Sequence, residues 1–128
     1  MALERRQKII VALYIFVALA FVVSIILGAN LPKKFREARN LTRKRHIQMI
    51  FEAVYAYYVL YNKFPDCIPQ SGEPIEVKKC GEIKPFLTSF PSDPLSDKDY
   101  FIQYFDKEKT KIRIFSNAPE AKGIEIIR

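Results

Sequence analysis

Hydrophobic residues follow three different patterns along this chain, and each pattern predicts a different element. Residues 9–28 (IIVALYIFVALAFVVSIILG) have no period at all: they are twenty consecutive uncharged positions dense in Ile, Val, Leu, Phe and Ala. At about 1.5 Å of rise per residue such a run spans roughly 30 Å as a helix, the hydrocarbon thickness of a bilayer. In lipid the backbone must satisfy its own hydrogen bonds, so the run is helical. The alternative, a buried core helix, requires a chain of 128 residues to wrap a helix that is apolar on every face. The pattern therefore predicts a transmembrane helix over 9–28, preceded by a short N-terminus at 1–8.

From Lys33 to Asn62 there is neither glycine nor proline, and the period becomes helical. Ile47, Ile50, Val54, Tyr57 or Tyr58, and Tyr61 recur at spacings of three and four, and Phe51 widens the stripe. Gln48 and Glu52 fall on the other side. This predicts an amphipathic helix over 29–63 that continues the span. Gly28 and Pro32 are expected to loosen or kink it where it leaves the membrane. Lys63-Phe64-Pro65 ends it, because the residue before a proline is pushed out of the helical region.

Residues 65–94 hold six of the eight prolines and both cysteines, which predicts an ordered but irregular connection. One helical turn is expected within Glu82–Phe90. From Tyr100 the period changes to two. Tyr100–Phe105 and Lys111–Phe115 read as strands joined by the turn Asp106–Thr110, and Ile124–Ile127 as a last strand. Ile112 and Ile114 would then face the core while Lys111 and Arg113 face away. The fold class is α+β: a long N-terminal helix packed against a small antiparallel sheet of about three strands, with 64–128 completing one domain together with 46–63.

Charge alters the picture only through its location. The net charge is +7, yet residues 1–45 carry ten Lys and Arg against two acids while residues 46–128 are nearly balanced. The basicity flanks the span, where it meets anionic lipid headgroups rather than nucleic acid. A cleaved secretory signal fits less well: the apolar core is too long, and Ile26 or Leu27 occupies position −3 of the available cuts. Counted naively, the trailing Lys33, Lys34, Arg36, Arg39, Arg43, Lys44 and Arg45 place the C-terminal domain in the cytoplasm.

The reactive residues are few. Cys67 and Cys80 with a single distant His46 cannot supply four zinc ligands. They form a disulfide if the domain lies outside the cytoplasm, closing a loop worth about 3 kcal/mol, or else remain two partly buried thiols. Asp93, Asp97 and Asp99 are weak calcium candidates that lack the spacing and terminal glutamate of an EF-hand; turn aspartates are the simpler reading. No Ser-His-Asp set, Cys-His pair, glycine-rich phosphate loop or pair of catalytic carboxylates stands out. The expectation is a protein with no cofactor and no enzymatic activity.

Two stretches resemble a known family. HIQMIFEAVYAYYVLYNKFP (46–65) is similar to the tyrosine-rich helix end and aromatic-Pro pair of type IV pilins. PFLTSFPSDPLSDKDYFIQYF (85–105) resembles the segment leading into the first strand of type II secretion major pseudopilins. The resemblance implies a helix whose inner half packs among other pilin-like subunits of an envelope filament. It also implies a sheet exposed beyond the cytoplasmic membrane, N-terminus inside and C-terminal domain outside. The chain departs from the family where prepilins are processed. Arg6 stands where the processing glycine is expected, Val11 near the position of the conserved glutamate, and the span holds no glutamate. The calcium loop of major pseudopilins is replaced by Asn117–Gly123, whose one carboxylate is Glu120.

Overall fold

The computed structural model describes residues 2–128, with side chains from residue 4 onward. A single helix, α1, runs Ala2–Tyr61, so residues 2–8 are helical as well as the predicted span. The chain divides into two compact units, residues 1–37 and 38–128. In the first, the side chains from Ile9 to Leu31 are exposed, including Phe16, Phe21 and Leu27. This helix is long and apolar enough to cross a membrane.

The helix continues through Pro32, where a looser or kinked passage was expected, so span and amphipathic segment form one element as predicted. Pro32 has no N–H to donate to the carbonyl of Gly28, so that one bond of the ladder is missing while the helix runs on through it. Ser24 Oγ and Asn30 Nδ2 donate to the carbonyls of Ala20 and Ile26, giving the chain around the proline two side-chain supports. The helix stops one residue before Asn62. Asn62 takes the left-handed conformation (φ 54°) and donates its N–H to the Tyr58 carbonyl at 2.7 Å. Asparagine is among the few residues that adopt this conformation at modest cost, so the stop precedes the proline signal by three residues.

In the second unit a four-stranded antiparallel sheet has the order β1 (Ile75–Glu76), β2 (Tyr100–Tyr104), β3 (Ile112–Ser116), β4 (Glu125–Ile127). Three strands were expected. The fourth is β1, whose two residues are too short to show any alternation; it pairs Ile75 with Ile102 and Glu76 with Phe101. The β2–β3 hairpin sets Ile102 opposite Ile114, and Ile112 and Ile114 are buried, as their alternation predicts. Phe101 and Phe115 stack across the strands on the other face, beside the Arg113–Glu125 ion pair.

The sheet packs its buried face on α1. Ile47, Ile50 and Val54 are at most 1% exposed and meet Ile102, Ile112, Ile114 and Tyr100 in one core. The stripe was expected to run on through Tyr58 and Tyr61, but both are exposed, and Tyr57 and Ala53 take the buried positions. Phe51 is half-buried at its margin. Tyr57 and Tyr58 lie about 100° apart at the two margins of the stripe through Ile47, Ile50 and Val54, so the helical period alone admits either. The connection between helix and sheet is ordered by its own core residues Ile68, Val77 and Ile83. Its helical turns are short 3-10 segments, Val77–Lys79 and Gly81–Phe86, the second overlapping the turn expected in Glu82–Phe90.

Candidate functional site

The most chemically specific feature lies where α1 enters the second unit. Arg43 is fully buried, an unusual place for a guanidinium. It is tolerated because each side of its fork meets an acceptor. Nε and Nη2 donate to the two carboxylate oxygens of Asp93 at 2.8 and 2.7 Å. Nη1 donates to Glu120 Oε1 at 2.7 Å and to Asn40 Oδ1 at 2.8 Å. One turn earlier, Arg39 makes its own forked pair with Glu120 at 2.6 and 2.7 Å, and Asn40 Nδ2 donates to the Glu120 carbonyl. Ser116 Oγ donates to Asp93 at 2.5 Å, and the Leu95 N–H donates to the same carboxylate at 2.9 Å.

Three chain segments thus meet at one buried guanidinium, α1, the loop at Asp93 and the 3-10 turn Pro119–Ala121, and the end of β3 joins them through Ser116 on Asp93. Forked arginine–carboxylate pairs fix orientation as well as distance. Among the described residues no buried side-chain nitrogen or oxygen lacks a hydrogen-bond partner. The network is therefore a closed set of matched donors and acceptors.

Its electrostatics follow from these bonds. The hydrogen bonds from Arg39 and then Arg43 hold the Glu120 carboxyl down at about 2. Burial pushes Asp93 upward, but the hydrogen bonds from Arg43, Ser116 and the Leu95 N–H outweigh it and keep the carboxyl below its ordinary value. Arg43 is held charged chiefly by its bonds to Asp93. One turn further, His46 Nδ1 lies 2.8 Å from the hydroxyl of Tyr100 on β2. Burial lowers His46, against the opposing charge of Asp93, and raises Tyr100.

The three aspartates considered for calcium go to three different cations. Asp93 binds Arg43, Asp97 lies 2.9 Å from Lys98, and Asp99 lies 2.6 Å from Lys78. Among the described residues, no three His, Cys, Asp or Glu side chains are placed to share a metal ion. Cys67 and Cys80 form a disulfide with Cα atoms 5.3 Å apart, and Cys80 is wholly buried in the core. Glu82 reinforces the same loop by accepting the Asp66 N–H at 3.0 Å.

Sequence reasoning missed the network. Arg39 and Arg43 read as two of seven basic residues trailing the span, and Asp93 as a turn aspartate. The one available signal was Glu120, the lone carboxylate of the Asn117–Gly123 turn. Comparison with protein-family models, curated proteins and solved structures found no match.

Proposed function

We propose that this chain is a pilin-like structural subunit of a cell-envelope filament or secretion machine, a pilus or pseudopilus, and not an enzyme. It is anchored in the cytoplasmic membrane by residues 9–28, with the short N-terminus inside and the sheet-bearing domain outside. Its partners are the lipid bilayer and other pilin-like subunits, met through the N-terminal helix; nucleic acid is not among them. The observation that carries this reading is the double use of α1. Its first half presents large apolar side chains on all faces, and its second half is the core helix of a small antiparallel sheet. Supporting it are the two stretches similar to pilins and pseudopilins. The Cys67–Cys80 disulfide adds to this, since such bonds persist in oxidising compartments.

The test is fractionation: the protein is expected in surface filaments sheared from cells. Full retention in membranes overturns polymerisation. Blocking free thiols in whole cells should leave both cysteines unalkylated; two alkylated cysteines would put the domain in the cytoplasm.

A second reading rests on Arg6 in place of the processing glycine and on a span without glutamate. By that reading the chain is an uncleaved, permanently anchored pilin-fold module that recruits partners and never polymerises. In both readings no cleavage occurs ahead of Gln7, where Arg6 replaces the processing glycine, or near Ala29, where Ile26 and Leu27 spoil the site. An intact mass that starts near Gln7 or Ala29 contradicts this.

A further inference from the structure

Resting on the reading of this chain as a polymerising subunit, we propose that Glu73–Glu76 of one copy docks into an aromatic groove of the next. The groove is open and lies in the second unit, lined by Phe51, Tyr55, Tyr58, Phe64, Thr110 and Arg128. Its rings are paired, Phe51 with Tyr55 at 6.2 Å and Tyr58 with Phe64 at 5.1 Å between centroids. Tyr55 and Tyr58 nevertheless remain 58% and 38% exposed. Contiguous exposed aromatic surface of this kind marks an interaction site. The Arg128 guanidinium lies 5.3 Å over the Phe51 ring. Where the groove continues past Phe64 and Thr110, the Lys109 ammonium donates to the neutral Gln70 amide oxygen at 2.7 Å. Both cations are thus held by neutral groups, and a complementary ligand would set an apolar residue on the rings beside a carboxylate.

The chain carries such a segment. Glu73 and Pro74 are exposed, whereas Ile75 pairs with Ile102 and packs on its own core and Glu76 lies 3.5 Å from Lys79, so Pro74 is the apolar residue offered to the rings, with Glu73 as its free carboxylate. Proline fixes an extended backbone beforehand, and Glu76, at φ −62° and ψ 129°, has the polyproline-like conformation that aromatic grooves accept. The segment contains β1, one edge of the sheet, whereas Arg128 follows β4, the other edge. Three strand spacings, about 14 Å, separate the two edges. The two surfaces share no residue, so the contact is heterologous: each docking leaves one groove and one segment free, and an open assembly propagates.

The test uses the full chain in its membrane with Tyr58→p-benzoylphenylalanine as a photocrosslinker, and Tyr55→p-benzoylphenylalanine as a second probe if the first variant does not accumulate. Illumination is expected to yield dimers and higher species whose crosslinked peptide contains residues 71–76 of another copy. Arg128→Glu and Glu73→Arg should each lower that yield about tenfold, the loss of one good charge contact, and the double exchange should restore it. Adducts between copies that map elsewhere, for example to residues 9–31, overturn the groove contact while leaving polymerisation intact. Adducts to a different protein overturn the choice of a second copy as occupant. Absence of any adduct at both probe positions overturns the docking, and the sheared-filament fraction then decides separately whether the subunit reading falls with it.

Discussion

The second unit is closed by two fasteners that differ in kind. The disulfide joins Cys67 to Cys80 across 13 residues and holds the connection together. The ion network joins Arg39 and Arg43 to partners 50 to 81 residues away and holds α1 to the far end of the sheet. The disulfide limits the unfolded chain and does not depend on pH below thiol ionisation. The network acts in the folded state alone and depends on two carboxylates remaining ionised. A short covalent loop secures a local region, whereas a buried charge secures the tertiary arrangement, at the risk of stranding an uncompensated ion.

That risk orders the expected effects. Ile50→Asp sets the upper scale: an unpaired carboxylate in the core shared by helix and sheet should abolish the cooperative thermal melt of the full chain in detergent micelles. Asp93→Ala comes next. It strands a buried guanidinium and should cost about 3–5 kcal/mol in denaturant titration, whereas the paired change Arg43→Met with Asp93→Leu should recover most of that loss. An Asp93→Ala variant as stable as the parent would show that Arg43 is solvated or sufficiently paired by Glu120. Reducing Cys67–Cys80 should cost about 3 kcal/mol, measured in the same titration with and without reductant.

Acid separates the fasteners more sharply. Asp93 and Glu120 both titrate lower in the folded protein than in the unfolded chain. The stability they contribute is therefore whole above about pH 5 and is lost as pH falls toward 2. His46, lowered by burial, acts in the same direction, with its loss beginning below its unfolded value of about 6.5. Melts taken from pH 7 down to pH 3 should fall steadily in midpoint. Cys67→Ser with Cys80→Ser should melt lower throughout but with the same slope. Glu120→Gln should flatten the slope and cost only about 1 kcal/mol at pH 7, since Asp93 still pairs Arg43. Parallel slopes for parent and Glu120→Gln would remove Glu120 from this account.

Patterns that repeat within a few residues were legible in the sequence. The uncharged run 9–28, the Ile47/Ile50/Val54 stripe and the β2–β3 hairpin all announce themselves by local period. The neighbour-level detail of Tyr57 against Tyr58 did not, because both lie within the arc that a helical period defines. β1 is too short for any period. Arg43 was hidden for a deeper reason: its burial depends on Asp93 and Glu120, and nothing near residue 43 distinguishes an arginine with distant carboxylates from one in solvent. Residues 2–8, read only as a short N-terminus, are helical too, because a helix once started by the apolar run extends into its polar flank without needing a period of its own.

The distances in sequence between Arg43 and its partners also fix an order of events. Arg43 precedes Asp93 by 50 residues and Glu120 by 77. A polypeptide made, or threaded through a membrane, from its N-terminus thus presents the guanidinium long before either counter-ion emerges. Until then Arg43 favours water, and the helix face it shares with Ile47 has no reason to close. The last of the required acids, Glu120, follows β3, so completion of the core waits until the first three strands have been delivered. Premature compaction during delivery is discouraged by a single buried charge.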